Sequence, residues 1–148
     1  MSAPDVVAAR IGVTLAGVGV DAVDVNRFRQ ILARRPGFAA RYFTEAEQAD
    51  AHRAADPTES LAARFAAKEA VMKALGTGLG GFPFTDVEVR RAPGDGPTRN
   101  APSLALHGAA AALAAAQGAG PFHLSLTHTT EVAIAFVVAE RDASCAPS

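Results

Sequence analysis

The stretch RFAAKEAVMKALGTGLGG, residues 64 to 81, decides how the rest of the chain is read. It has the composition of a buried helix and runs into a glycine-rich exit. On a helical wheel turning about 100° per residue, Leu61, Phe65, Met72 and Leu75 form one stripe. Ala62, Ala63, Ala66, Ala67, Ala70 and Ala74 form the opposite side. A helix back that meets water normally carries Lys, Glu or Gln. An alanine back implies a second packed layer. The helix is expected from about Glu59 to Leu75, covered on both sides, with Gly76 as its left-handed C-cap.

Charges on such a helix are costly unless paired. Lys68 falls inside the apolar stripe. Glu69 and Lys73 are four apart on one flank, and so are Arg64 and Lys68. Two readings stay open. Glu69 followed by Lys73 is the favourable order for a surface ion pair of about 0.2–0.5 kcal/mol. A carboxylate within a row of cations also suits a divalent metal beside phosphates, with the glutamate on the metal and the cations on the anion. The exit GTGLGG, residues 76–81, is either a flexible helix end or a loop that a ligand approaches closely. It is not a P-loop, because no Lys-Ser/Thr follows in the right place.

Working outward, VTLAGVGVDAV (13–23) reads as a first strand and DVNRFRQILARR (24–35) as a helix capped by Asp24. Val25, Phe28, Ile31 and Leu32 make its apolar stripe, and Pro36-Gly37 ends it. FTEAEQADAHRAA (43–55) reads as a second helix, with Thr44 and Glu47 as a capping box. Asp56-Pro57 breaks the chain before the central helix. FTDVEVRR (84–91) and SLALH (103–107) read as a hairpin around a Gly/Pro turn. GAAAALAAAQGAG (108–120) reads as a helix with no chemistry in it. FHLSLTHTTEVAIAFVVAE (122–140) reads as two strands joined at Thr129-Thr130-Glu131. The sum is one α+β domain over residues 1–148, an antiparallel sheet around a long central helix, with roughly 12 N-terminal and 8 C-terminal residues flexible.

Composition narrows the function classes. The chain has 148 residues, 49% hydrophobic and 20% charged, with a net charge of -1. That balance gives no global field for nucleic acid, although a local basic patch can still hold an anionic partner. One cysteine, Cys145, excludes a disulfide framework and fits a reducing cytoplasm. The N-terminus lacks a basic n-region, and no apolar run approaches the roughly 20 residues that span a bilayer.

Two further stretches carry candidates. In GVGVDAV, Gly17, Gly19 and Asp21 share one strand face, and two missing side chains beside a carboxylate leave room for something bulky. Read alone, Asp21 is an ordinary strand-end residue. No doubly wound pattern surrounds this GxG, so a dinucleotide fold is rejected. In SLTHTTE, His128 sits at a strand end with Leu124 and Leu126, where a lone histidine is usually a hydrogen-bonded core residue. His52, His107 and His123 occupy ordinary polar positions. No histidine pair has zinc spacing, and no nucleophile elbow supports a Ser-His-Asp triad.

Taken together, GVGVDAVDVNRF, FTEAE, LAARFAAKEAVMKALGTGLGG and FHLSLTHTTEVAIAFVV resemble the holo-[acyl-carrier-protein] synthases, the small class of 4'-phosphopantetheinyl transferases. The resemblance runs from about Gly17 to Glu140. It implies the α+β phosphopantetheinyl transferase fold and a homotrimer with active sites between adjacent subunits. It implies magnesium-dependent transfer of phosphopantetheine from coenzyme A to a serine of apo acyl carrier protein, releasing adenosine 3',5'-bisphosphate. By resemblance, Asp21 and Glu69 are metal carboxylates and Lys73 lies near the pyrophosphate. Arg64, Lys68, Gly76, Gly78 and Gly80 form the coenzyme A cradle, and His128 lies at the cofactor. Arg27 meets the acidic recognition helix of the carrier, with Arg29, Arg34, Arg35 and Arg41 available to steer it. Ser103 departs from the basic residue usual in its place, and the N-terminus is about ten residues longer than usual. A non-catalytic module binding coenzyme A or an acidic helix, and a purely structural domain, are the alternatives.

Overall fold

A computed structural model describes residues 12–92, 97 and 100–142. The expected flexible ends lie almost wholly outside these residues. Strand β1 (Leu15–Asp24) leads into helix α1 (Val25–Arg34), followed by α2 (Phe38–Tyr42), α3 (Glu45–His52) and the long α4 (Pro57–Leu75). A 3-10 turn (Phe84–Asp86) precedes the hairpin of β2 (Val87–Arg91) and β3 (Pro102–Leu106). Helix α5 (Gly108–Gln117) and strands β4 (Ala119–His128) and β5 (Val132–Arg141) complete the fold. The last two strands and β1 form an antiparallel sheet in the order β1-β5-β4.

Local signals explain the element ends. Asp24 accepts from the Arg27 amide at 2.7 Å and starts α1. Thr44 and Glu47 close the capping box that starts α3. Asp56 and Pro57 do not separate α4 from what precedes it; they begin it. The Asp56 carboxylate accepts from the Thr58 amide at 2.9 Å, and proline occupies the first turn, where no amide hydrogen is needed. Gly76, at φ 70°, ends α4. Helix α5 stops at Gln117, earlier than its alanine run suggests, because Gly118 takes the left-handed cap at φ 64°.

Helix α4 is covered on both sides, as its alanine back requires. Ala62, Ala63, Ala66, Ala67, Ala70 and Ala74 are all buried, together with Leu61, Met72 and Leu75. Its inner face meets the sheet face formed by Gly17 and Gly19 of β1 and by Ala133, Ala135, Val137 and Ala139 of β5. Small residues on both surfaces bring the helix backbone close to the strand. The space beside Asp21, expected to take something bulky, is filled by this helix. A Cβ at Gly17 would land on the Ala74 carbonyl oxygen, and one at Gly19 on that of Ala70. The outer flank of α4 packs on rings from α1, α2 and the 3-10 turn, with Phe65 stacked on Phe84 at 5.1 Å.

Because that clash is with backbone, Gly19→Ala must push α4 off the sheet. The expected cost is about 1–3 kcal/mol, read as a lower urea midpoint by circular dichroism. An unchanged midpoint would show that the helix tolerates a wider spacing.

Candidate active site

The close approach of α4 to β1 sets Asp21 beside the exposed flank of the helix. Lys73 Nζ donates to Asp21 Oδ1 at 2.9 Å and to the Val20 carbonyl at 2.9 Å. The sequence favours a Glu69–Lys73 pair; the structure gives the lysine to Asp21, which the fold brings nearer. Glu69 stands against the same aspartate. Burial, and then the facing Asp21, push its carboxyl up to about 8, while Lys73 opposes the shift. Asp21 Oδ2 is buried and has no hydrogen-bond partner. The two carboxyl groups thus face each other beside a single ammonium. Asp21, Glu69 and Lys73 are brought together as the sequence reading expects.

Arg64 and Lys68 go elsewhere. Both are fully buried. Lys68 Nζ donates to Glu47 Oε1 at 2.7 Å, to the Phe84 carbonyl at 3.0 Å and to the Val87 carbonyl. Arg64 pairs with Asp50 and donates to Ser60. Burial lowers the pKa of both cations, against the pull of these acids. As a cradle for a ligand they are a correction: both are buried and ion-paired inside the fold, because the stripe they sit on faces α3 and the hairpin instead of solvent.

A cavity of about 460 Å³ opens at the start of α4. Asp50, Arg53, Asp56, Glu59, Arg91 and His128 supply its charged and titratable lining. His128 Nδ1 lies 3.3 Å from Glu59 Oε2. Asp50, which neutralises Arg64 beneath the floor, also has Arg53 at 3.8 Å and Arg91 at 3.9 Å. Asp56 is held by Arg29 at 2.7 Å, which keeps its carboxyl below the usual range. Arg29 is therefore not free to steer a partner. Arg27, Arg34, Arg35 and Arg41 have no ion pair among the described residues. The sequence reading missed Arg53, Arg91 and Glu59. Nothing in the local pattern marks them; only the α3–α4 turn and the hairpin bring them to one place.

The two clusters do not coincide. Asp21 pairs with Ala135, which pairs with Leu126, and His128 lies two residues further along β4. Strand spacing and rise then separate the Asp21 and His128 backbones by about 12 Å. The glycine exit of α4 is open beside Lys73, with Gly76, Gly78 and Gly80 at φ 70°, 71° and 80°. Among the described residues, no helix is long and apolar enough to cross a membrane.

Known proteins are similar to this chain over most of its length. Residues 17–137 match the model of the 4'-phosphopantetheinyl transferase superfamily. The chain is 49% identical over 127 residues to a holo-[acyl-carrier-protein] synthase of Clavibacter sepedonicus, covering 85% of this chain and 96% of that protein. It is 50% identical over 126 residues to one from Frankia casuarinae, covering 85% and 98%. A crystal structure of the Bacillus anthracis holo-(acyl-carrier-protein) synthase in complex with CoA (3',5'-ADP) is similar at a TM-score of 0.70. It is 34% identical, and 88% of this chain and 100% of that one are covered.

The raised Glu69 carboxyl has a sign that can be checked. Its unfolded-state pKa is near the ordinary 4.5 and its folded value about 8, so the folded state loses stability as pH rises from 4.5 to 8. Glu69→Gln removes that loss. Its melting temperature is expected to match wild type near pH 4 and to exceed it increasingly up to pH 9. A difference that stays flat with pH would contradict the carboxylate pairing.

Proposed function

The chain belongs to the 4'-phosphopantetheinyl transferase superfamily, and from that premise we propose that it acts as a holo-[acyl-carrier-protein] synthase. It transfers the 4'-phosphopantetheine group of coenzyme A to a serine of apo acyl carrier protein and releases adenosine 3',5'-bisphosphate. The observation that carries the residue assignment is the convergence of Asp21, Glu69 and Lys73 from β1 and α4.

The donor set fits magnesium. A buried Asp21 oxygen with no partner, and a Glu69 carboxyl pushed up by burial and then by Asp21, mark a place where a cation would be stabilised. Two hard carboxylates suit an ion that keeps waters and takes phosphate oxygens for its remaining positions. Asp21 and Glu69 would hold it; when bound, it neutralises and polarises the pyrophosphate. The carrier serine oxygen forms a bond to the β-phosphorus as its proton passes to water or, through water, to a carboxylate. The bond from that phosphorus to the bridging pyrophosphate oxygen breaks, and its electrons leave with the adenosine bisphosphate. Positioning and charge neutralisation dominate such a transfer. Lys73, half exposed and already held at Asp21, is suited to the charge on the transferred or leaving phosphate. The left-handed glycines let the pantetheine–pyrophosphate chain run close to the backbone. Arg53, Arg91 and His128 suit the phosphorylated adenosine end. Arg27, exposed on α1 at the foot of β1, suits the acidic face of the carrier.

We propose further that the working form is a homotrimer with active sites between copies. On the sheet face away from α4, Val18, Val20 and Phe136 are 48%, 52% and 44% exposed. An apolar strand face of this kind is an interface signal. The separation of His128 from the carboxylate pair within one chain points the same way. Residues 1–148 would act as one transferase domain in the cytoplasm, where coenzyme A is drawn on.

Glu69→Gln is expected to lower transfer by about 100-fold or more. Intact-mass measurement of an apo carrier incubated with coenzyme A and magnesium reads this, and a fully active variant refutes the metal role. Val20→Asp is expected to reduce the light-scattering mass from three copies to one. Unaltered assembly would remove this face from the interface.

A further inference from the structure

We infer that the buried Glu47–Lys68 pair is a positioning device for the metal carboxylate Glu69. The inference rests on the transferase reading above. Lys68 has its ammonium fixed at Glu47 Oε1, the Phe84 carbonyl and the Val87 carbonyl, with no exposure to solvent. Glu47 is fixed in turn. Its Oε1 accepts from the Thr44 amide at 3.0 Å and its Oε2 from the Val89 amide at 3.0 Å. One ion pair therefore ties α4 to the first turn of α3, to the 3-10 turn and to β2. Every donor and acceptor it uses is met, so it has a defined geometry and not only a charge balance.

Its place on the helix gives that geometry a consequence. Lys68 and Glu69 are adjacent, about 100° apart around the axis. On the far flank, Lys73 and the Gly17–Gly19 contact hold α4 to β1. Both flanks must be held to fix the roll of the helix, because small side chains on the sheet face offer few interlocking ridges. A roll of roughly 20° moves a carboxylate about 6 Å from the axis by about 2 Å. Metal–oxygen distances tolerate about 0.2 Å. A buried pair that contributes little net stability over an apolar one has a use here as a register pin.

A single replacement strands a buried charge and is expected to unfold the chain in part. The test is the double variant Glu47→Gln/Lys68→Met, whose amide still accepts a backbone hydrogen bond and whose thioether fills the lysine's path. The readouts are cooperative thermal unfolding, the melting shift on titrating magnesium chloride in the presence of coenzyme A, and kcat separately from KM. The double variant is expected to unfold cooperatively, with magnesium binding weakened about 10- to 100-fold. Its kcat should fall and its KM for coenzyme A stay near wild type. Wild-type magnesium affinity and kcat in the variant would overturn the inference. So would a raised KM at unchanged kcat, which would make Lys68 a direct ligand. Should the double variant not fold, Glu47→Asp keeps both charges and shortens the arm by one methylene. Weakened magnesium binding there supports the inference, and unaltered binding overturns it. A wild-type protein that shows neither magnesium-dependent shift nor transfer would instead defeat the transferase reading.

Discussion

Helix α4 lies on β1 at the distance it does because Gly17 and Gly19 present no side chains to it. The strand backbone meets the carbonyls of Ala70 and Ala74, and the alanines of β5 continue the same low surface. Everything else in the molecule is arranged around that contact. It buries a helix that is apolar on nearly every side, and it leaves a narrow flank where Asp21 can face Glu69. A wider spacing would bury less and would also pull the two carboxylates apart. Stability and chemistry here share one constraint.

Charge is handled in two opposite ways along the same helix. Lys68 and Arg64 are taken out of water and matched by Glu47 and Asp50, with backbone carbonyls and Ser60 adding hydrogen bonds. Lys68 is fully hydrogen-bonded there, whereas Arg64 keeps a buried Nε with no partner. One residue on from Lys68 the matching stops. Glu69 faces a second carboxyl group, Asp21 keeps a buried oxygen with no partner, and Lys73 is the single ammonium beside them. The fold thus pairs its deeply buried cations with acids and leaves two carboxyl groups facing each other at the exposed flank. The cavity at the other end of α4 is of mixed charge, with Arg53 and Arg91 near an Asp50 already shared with Arg64, and Asp56 and Glu59 on the same lining.

Much of this was legible without coordinates. Alternation in 17–22, the alanine back of 61–75, the capping box at Thr44 and the glycine after Leu75 are local or periodic signals, and the elements follow them. The family motifs brought Asp21, Glu69 and Lys73 to attention together. The misreadings have a common cause. Lys68 and Arg64 look alike to Lys73 in a sequence, because side-chain type does not say which flank of a covered helix faces solvent. Asp56-Pro57 looks like a break until it is seen to be a cap. The glycines of β1 look like room for a ligand until a helix occupies it.

The sequence by itself determined the class of the fold, the extent of its main elements and the chemical types at the site, since these depend on periodicity, capping and residue identity. Tertiary structure decided which charges are buried and paired and which stand at the exposed flank of the helix. It also assembled Arg53, Glu59, Arg91 and His128 at one cavity and held that cavity apart from the carboxylate pair. The physical reason is that burial and proximity between residues far apart in the chain are set by how α4 is clamped between the sheet, α3 and the hairpin. No local pattern encodes that clamp.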